Sequence, residues 1–113
     1  MSAHDEDWLF RFEEAVLSGK TYIDHVDNQV CFESYDVACL AAGAAITAID
    51  LMESGKAEQT FCLIRPPGHH AERNNPYGFC FINNCVVAAR YWQHKYNKRR
   101  VLVFDFDAPN TFH

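Results

Sequence analysis

The sequence lacks an excess of positive charge: 10 Lys and Arg residues stand against 15 Asp and Glu residues, for a formal net charge of −5. A basic footprint for nucleic acid is therefore missing, and we expect no direct binding to DNA or RNA. The basic residues cluster at Lys98-Arg99-Arg100, just before an apolar run. That placement favours a solvated turn over a binding patch.

Features of secreted and membrane proteins are also missing. The 5 cysteines are odd in number and include no Cys-x-x-Cys pair, which argues against a disulfide framework and favours a reduced protein. The first seven residues, Met-Ser-Ala-His-Asp-Glu-Asp, have neither the basic nor the apolar region of a signal peptide. No apolar run is expected to reach transmembrane length. We therefore expect an intracellular protein, nuclear, cytoplasmic or both, with no membrane association.

The chain contains enough hydrophobic residues, 49% of the total, to form one folded domain over residues 1–113. Apolar spacing predicts helices over residues 5–18, 34–54 and 82–96. The second of these begins with a possible capping residue, Ser34. It is apolar nearly all round, so we expect it to be buried in the body of the protein.

Two short apolar runs, residues 60–64 and 100–106, predict buried parallel strands. Together with the helix between them they would form a βαβ unit. Residues 20–33 have no clean period. Three side chains in that segment could form a metal cluster, but a solvated turn is the favoured interpretation; they are Asp24, His25 and Asp27.

The βαβ order brings polar side chains to one edge of the predicted sheet. His69 and His70 follow the first strand, and Asp105 and Asp107 end the second. Because the carboxyl ends of parallel strands lie at the same edge, where ligands bind in open α/β sheets, the spacing predicts that the four side chains converge. The alternative is that the tandem histidines are surface residues and the aspartates cap a helix.

Such a cluster has a defined chemistry. A carboxylate beside an imidazole orients the ring and favours its protonated form, which is the arrangement of a general acid and base. A second carboxylate at the same edge could hold a cation, and zinc with an open position would polarise a carbonyl and activate water. The reaction class indicated is metal-assisted hydrolysis of an amide.

Three stretches of the sequence together resemble the zinc-dependent histone deacetylases and acetylpolyamine amidohydrolases, with the closer similarity to the class II type. The resemblance is strongest over residues 27–107, within a single partial domain that covers residues 1–113. The stretches are Arg65-Pro66-Pro67-Gly68-His69-His70-Ala71, Gly78-Phe79-Cys80-Phe81-Ile82-Asn83-Asn84 and Val101-Leu102-Val103-Phe104-Asp105-Phe106-Asp107.

The resemblance implies an α/β chain that forms part of the three-layer arginase/deacetylase fold, with a parallel β-sheet flanked by helices. It implies Zn²⁺ as a cofactor and K⁺ as a second candidate cation, but we do not expect this chain to bind them firmly by itself. The implied partners are an acetylated histone, another acyl-lysine protein or an acetylpolyamine. A protein that binds this chain is a further candidate partner.

The resemblance also assigns roles by position. His69 and His70 would handle protons for the attacking water and the leaving amine, and Asp105 would support the first of them and help hold a monovalent cation. Asp107 would be a zinc ligand in an incomplete site. The substrate tunnel would be lined by Gly78 and Phe79.

The match breaks after Asp107. The family continues with two histidines and a Gly-(Asp/Asn)-Gly segment, whereas this chain has Pro109 at the position of a zinc-ligating histidine and Phe112 at that of the Asp/Asn. His113 is a weak substitute ligand in a terminal segment. The pattern suggests truncation, by a splice end or a premature stop, and we expect weak zinc binding and no deacetylase activity from the chain alone.

Two other functions compete with a deacetylase. The chain could be a catalytically dead deacetylase-like fragment that acts as an interaction or regulatory piece. Alternatively, Asp105-Phe106-Asp107 resembles the nucleophile motif of haloacid-dehalogenase-type phosphatases. Pro109 in the Thr/Val position of that motif and the unexplained tandem histidines argue against the phosphatase.

Overall fold

Three helices and one small hairpin form the regular structure of residues 3–107, which are the residues that the computed structural model describes. In chain order the elements are α1 (Glu6–Leu17), β1 (Tyr22–Ile23), β2 (His25–Gln29), α2 (Ser34–Glu53) and α3 (Asn84–Tyr96). The three predicted helices are therefore observed, each within two residues of the expected bounds.

Helix α1 forms because its ends and one face suit a helix. Acidic residues occupy its first turn, which the helix dipole favours. The chain leaves the helix through Ser18 and then Gly19, whose φ of 84° lies in the left-handed region that glycine adopts without strain. The apolar stripe of α1 is buried, and its members are Trp8, Phe12, Ala15 and Val16.

An aromatic stack joins α1 to the segment before α3. The Phe12 side chain is 0% exposed, and its ring centroid lies 5.4 Å from that of Trp8 and 5.0 Å from that of Phe81. Tyr35 of α2 packs edge-on against the same ring at 5.2 Å. The indole N–H of Trp8 also donates a hydrogen bond of 3.0 Å to the Phe81 carbonyl. The core thus fixes the position of the segment around Phe81, which lies between residues 65–71 and α3.

Helices α2 and α3 pack together and are joined at their C-terminal ends by polar contacts. The Asp50 carboxylate accepts hydrogen bonds from the hydroxyls of Tyr91 at 2.8 Å and Tyr96 at 2.7 Å, and the bond from Tyr96 is the largest cause of a lowered pKa for Asp50. Glu53 accepts a bond of 2.7 Å from the indole N–H of Trp92. These contacts set the position of α3, which follows the tandem-histidine segment.

Three expectations about α2 were wrong. Its small residues are buried, but Leu40 is 75% exposed, so the helix is not buried all round. Ser34 does not cap the helix, because its Oγ accepts a bond of 2.8 Å from the Cys31 N–H instead. The 20 residues of α2 are also long and apolar enough to cross a membrane by length and composition, contrary to our expectation. A core helix meets the same criterion, and α2 packs on α1 and α3.

The predicted parallel sheet is not confirmed. Within residues 3–107 the sheet has two strands, β1 and β2, which run antiparallel, and neither 60–64 nor 100–106 forms a paired strand. A strand needs a hydrogen-bonding neighbour, and apolar composition alone does not supply one. Phe61 and Leu63 are 89% and 92% exposed, so these runs have the composition of buried strands without the burial.

The β1–β2 hairpin lies in the segment without a clean period. Its second strand buries one side chain, that of Asn28, so no apolar alternation marks it in the sequence. The turn residue Asp24 has a φ of 65° and is held by two bonds from Arg11, at 2.6 and 3.1 Å. Asp24 therefore pairs with α1. Among residues 3–107, the group of side chains that could hold a metal ion consists of His69, His70 and Asp107, so the cluster considered for this segment is not observed.

Candidate functional site

Histidine and aspartate side chains meet at the position expected from the sequence. The Nδ1 atom of His69 lies 2.6 Å from Oδ2 of Asp105, and its Nε2 atom lies 3.4 Å from Oδ2 of Asp107. The His70 ring packs beside the His69 ring with a centroid distance of 4.0 Å. One ligand atom from each of His69, His70 and Asp107 falls within 4.8 Å of the others. The structure thus brings the four predicted residues together even though the segments that carry them are not paired strands.

The loop before the histidines is held by close backbone packing at Gly68. A Cβ atom at this position would lie 2.6 Å from the Asn84 nitrogen and closer still to the Ile82 carbonyl oxygen. Real Cβ contacts are not this short, so only glycine permits the approach. Gly68 therefore lets the tandem-histidine loop lie directly on the start of α3.

Two asparagines at the start of α3 also hold the loop. The Asn83 side chain accepts a bond of 3.1 Å from the Val86 N–H, as an N-cap residue does, and donates one of 3.2 Å to the Ala71 carbonyl. The Asn84 amide donates a bond of 3.4 Å to the Pro66 carbonyl. The sequence signal was an asparagine at a predicted helix start, but its second contact could not be inferred from that signal.

The N-terminus supplies a positioning residue that sequence reasoning missed. His4 is buried, its Nε2 accepts the Asn83 N–H at 2.9 Å, and its Nδ1 donates to the Arg73 carbonyl at 3.1 Å. Burial is the largest cause of the lowered pKa of His4, which favours the neutral ring that these two bonds require. Next to it, Asp5 accepts a bond of 2.6 Å from Arg73. No local pattern in the sequence indicates contacts between residues so far apart along the chain.

A tight turn carries the two predicted tunnel residues. Gly78 and Phe79 have φ values of 49° and 68°, and Tyr77 and Cys80 exchange backbone bonds of 3.1 and 2.7 Å across them. Two central residues with positive φ are the pattern of a type I′ turn. The Phe79 N–H donates a bond of 3.3 Å to the Asn28 side chain, which ties the turn to the hairpin.

The turn lies against the tandem histidines. A Cβ atom on Gly78 would lie 2.7 Å from the Cδ2 atom of His70, so the missing side chain leaves room for the imidazole ring. The Phe79 side chain is exposed beside this contact. Its left-handed backbone is unfavourable for a bulky residue and is typical of functional sites.

The arrangement can hold a proton at a defined atom. With its Nδ1 bonded to Asp105, His69 presents Nε2 towards Asp107. The Asp107 N–H donates a bond of 3.1 Å to the Asp105 carboxylate, which links the two acids. Two imidazoles and a carboxylate are also a donor set that suits zinc. The positions at which the sequence departs from the family, Pro109, Phe112 and His113, lie outside the described residues.

Comparison with known proteins found a matching family model and several similar proteins. A family model described as the histone deacetylase domain matches residues 1–109. The chain is 35% identical over 113 residues to the polyamine deacetylase HDAC10 of Danio rerio, covering 93% of this chain and 16% of that protein. It is 42% identical over 107 residues to a histone deacetylase-like amidohydrolase of Pseudomonas aeruginosa, covering 95% and 28% respectively.

Among solved structures, the chain is similar to the HDA15 HD domain, with a TM-score of 0.75 and 29% sequence identity. That match covers 82% of this chain and 26% of the other. The chain thus spans less than a third of the length of each of these three proteins.

Proposed function

Because the chain belongs to the histone deacetylase family, we propose that its His69 cluster is the proton-handling part of a zinc-dependent hydrolase for acetyl amides. The observation that carries this proposal is the contact of 2.6 Å between His69 Nδ1 and Asp105, with Nε2 facing Asp107. A carboxylate behind an imidazole fixes the tautomer and stabilises the ring once it is protonated.

In this proposal each side chain has one task. His69 Nε2 accepts a proton from the attacking water, and His70 serves the leaving amine. Asp105 holds His69 in place, while Asp107 would be one of the zinc ligands. Zinc, when bound, polarises the acetyl carbonyl and lowers the pKa of water. The exposed aromatic ring of Phe79 would contact the apolar stem of the substrate.

For the substrate we propose an acetylated lysine in a histone or another protein, or an acetylated polyamine. The second class is supported by similar proteins from fish, rat and mouse that are named polyamine deacetylases. Both classes of substrate carry a neutral amide on a flexible apolar stem, so the residues of this cluster would bind either class in the same way.

We further propose that the chain by itself does not catalyse deacetylation. Pro109 has no side-chain donor at a position where the resemblance places a zinc-ligating histidine. A catalytic zinc site has three protein ligands as a rule. The purified chain, assayed with zinc on an acetyl-lysine peptide and an acetylated polyamine, should show no rate above buffer. Zinc-dependent hydrolysis that disappears in His69→Ala would contradict the inactivity.

The roles themselves are tested in an active context. We suggest a chimera in which residues 1–107 of this chain are continued by the remaining residues of the Pseudomonas aeruginosa relative. His69→Ala and Asp105→Asn in the chimera should each lower kcat by about 10²–10⁴-fold, the usual contribution of general acid–base catalysis. Full activity of both variants would refute the assigned roles, and His25→Ala serves as a control outside the cluster.

A second candidate function is that of an interaction piece, and the exposed apolar runs favour it. Phe61, Leu63 and Leu102 are each about nine-tenths exposed in segments with the composition of central strands. The matching deacetylase structure is about four times longer than the matched part. The partner we propose is a polypeptide that supplies the remaining strands of a deacetylase domain and pairs with these runs.

Coexpression with the complementary part of the Pseudomonas aeruginosa relative tests this second function. A stable one-to-one complex that is lost when Leu63 and Leu102 are both replaced by Lys would support it. Homodimers that exclude the added polypeptide would instead show that a second copy covers the surface, and a monodisperse monomer in the mixture would refute the interaction.

A further inference from the structure

We propose that Asn28 is a positioning residue for substrate binding, because its buried side chain holds the turn that carries Phe79. The inference rests on the proposed function, in which the Phe79 ring contacts the apolar stem of the substrate. Asn28 does not itself touch the substrate. It acts from strand β2, through a hydrogen bond to the backbone of Phe79.

The burial of Asn28 is unusual for its strand. Asn28 is 2% exposed, whereas the apolar residue Val26 of the same strand is 57% exposed. A buried polar side chain is more informative than an exposed apolar one. Burial of an amide costs free energy unless its polar atoms are hydrogen bonded, so this side chain is expected to have a bonding role.

Two hydrogen bonds fix the orientation of the Asn28 amide. Its Nδ2 donates to the Ile23 carbonyl at 3.1 Å, and its Oδ1 accepts the Phe79 N–H at 3.3 Å. A carbonyl only accepts and a backbone N–H only donates, so exchanging the amide nitrogen and oxygen would break both bonds. Ile23 lies in β1 and is itself buried. Asn28 therefore joins the hairpin to the Phe79 turn in one defined way.

The turn needs a hydrogen-bond acceptor from outside itself. Tyr77 and Cys80 each donate their N–H to the carbonyl of the other, at 3.1 and 2.7 Å. These bonds leave the Phe79 N–H, in the middle of the turn, to be satisfied elsewhere. The φ of Phe79 is 68°, a left-handed conformation that a bulky residue keeps only when its surroundings hold it. The bond to Asn28 supplies that restraint.

The conformation of the turn decides where the Phe79 ring lies. Phe79 is 59% exposed, so its direction follows mainly from the backbone and less from packing of the ring. The other central residue, Gly78, lies against His70, since a Cβ atom there would be 2.7 Å from His70 Cδ2. Loss of the Asn28 bond should let the turn relax and move the Phe79 ring relative to the histidines. Substrate binding should weaken while the chemical step is retained.

Hydrogen exchange of the purified full chain, followed by NMR, tests the bond. In Asn28→Leu, which removes both polar atoms at similar size, the Phe79 N–H should exchange about 10-fold faster relative to the amides of α2. Asn28→Asp keeps an oxygen acceptor but loses the donor to Ile23, so it should destabilise the hairpin and preserve slow exchange at Phe79. Gln29→Leu alters the exposed neighbouring amide of the same strand and should leave Phe79 exchange unchanged. Circular dichroism verifies that each variant is folded.

The chimera described above tests the consequence for the substrate. Asn28→Leu and Phe79→Ala should each raise KM by about 10-fold, as loss of an apolar contact in a substrate pocket does, with little change in kcat. The double variant should bind no worse than Phe79→Ala, because Asn28 acts through the Phe79 ring. Asn28→Asp should keep a KM close to that of the unaltered chimera.

The outcomes separate a positioning role from a purely structural one. Unchanged Phe79 exchange in Asn28→Leu, or equal effects of Asn28→Leu and Asn28→Asp, would show that Asn28 only supports the fold and would overturn the inference. Additive effects of Asn28→Leu and Phe79→Ala on KM would also overturn it. If Phe79→Ala leaves KM unchanged, the substrate contact in the proposed function is wrong, and the exchange data alone decide whether Asn28 positions the turn.

Discussion

Replacing Gly68 by Ala should destabilise the protein through one atom. The added Cβ would lie 2.6 Å from the Asn84 nitrogen, and the Ile82 carbonyl is closer still. Both are backbone atoms at the start of α3, so neither can rotate away as a side chain would. Overpacking of this kind costs about 1–3 kcal/mol. In a small domain about 4–8 °C of melting temperature accompanies each kcal/mol, so we expect a decrease of about 5–20 °C.

A second Gly→Ala change provides a control of opposite sign. Gly43 lies inside α2, and a Cβ there would meet no heavy atom within 4 Å. Alanine in a helix interior is more favourable than glycine by about 0.5–1 kcal/mol, so Gly43→Ala should raise the melting temperature. Thermal unfolding followed by circular dichroism measures both variants. The proposed packing of Gly68 is refuted if Gly68→Ala melts at or above the unaltered protein.

Three further predictions concern the core, the N-terminus and the turn. Phe12→Ala should lower the free energy of unfolding, measured in urea, by about 3–5 kcal/mol because it removes the centre of the aromatic stack. The lowered pKa of His4 means that the unfolded chain binds its proton more readily, so stability should fall as pH drops below 6.5 and should not recover at lower pH. Urea unfolding at several pH values should show a weaker dependence in His4→Gln, and an unchanged dependence would contradict this reasoning. Gly78→Ala should displace the His70 ring, which NMR of the histidine side chains detects as a shifted His70 signal; an unshifted signal would show that the turn does not shape the cluster.

The helices could be predicted because their signals are local. Apolar residues repeat at helical spacing in α1 and α2, and both helices end at glycines with positive φ, Gly19 and Gly55. The strands could not be predicted in the same way, because strand formation depends on a neighbouring strand. The apolar composition of residues 60–64 and 100–106 carries no information about such a neighbour. The hairpin at residues 22–29 was missed because most of its side chains are exposed, so no alternation of apolar and polar residues marks its strands in the sequence.

The sequence predicted which side chains would lie together in the candidate site, but it did not predict the contacts that hold them in place. Family-like motifs and their order along the chain led to His69, His70, Asp105 and Asp107, and the structure places these residues together. The contacts that hold the loop were not predictable, because they are backbone contacts or join residues far apart in sequence. His4 is the clearest example, since an isolated histidine near a chain end has no periodicity.

The contacts of His4 also bear on when the site can form during folding. His4 is separated by 69 residues from Arg73 and by 79 from Asn83, and the Trp8 bond to Phe81 spans 73. Contacts of such long range require closure of a large loop, which raises contact order and slows folding. On a ribosome, the first residues would therefore wait for most of the chain before the histidine loop could be fixed in place. Changes that weaken α1 should then slow assembly of the site without touching any residue in it.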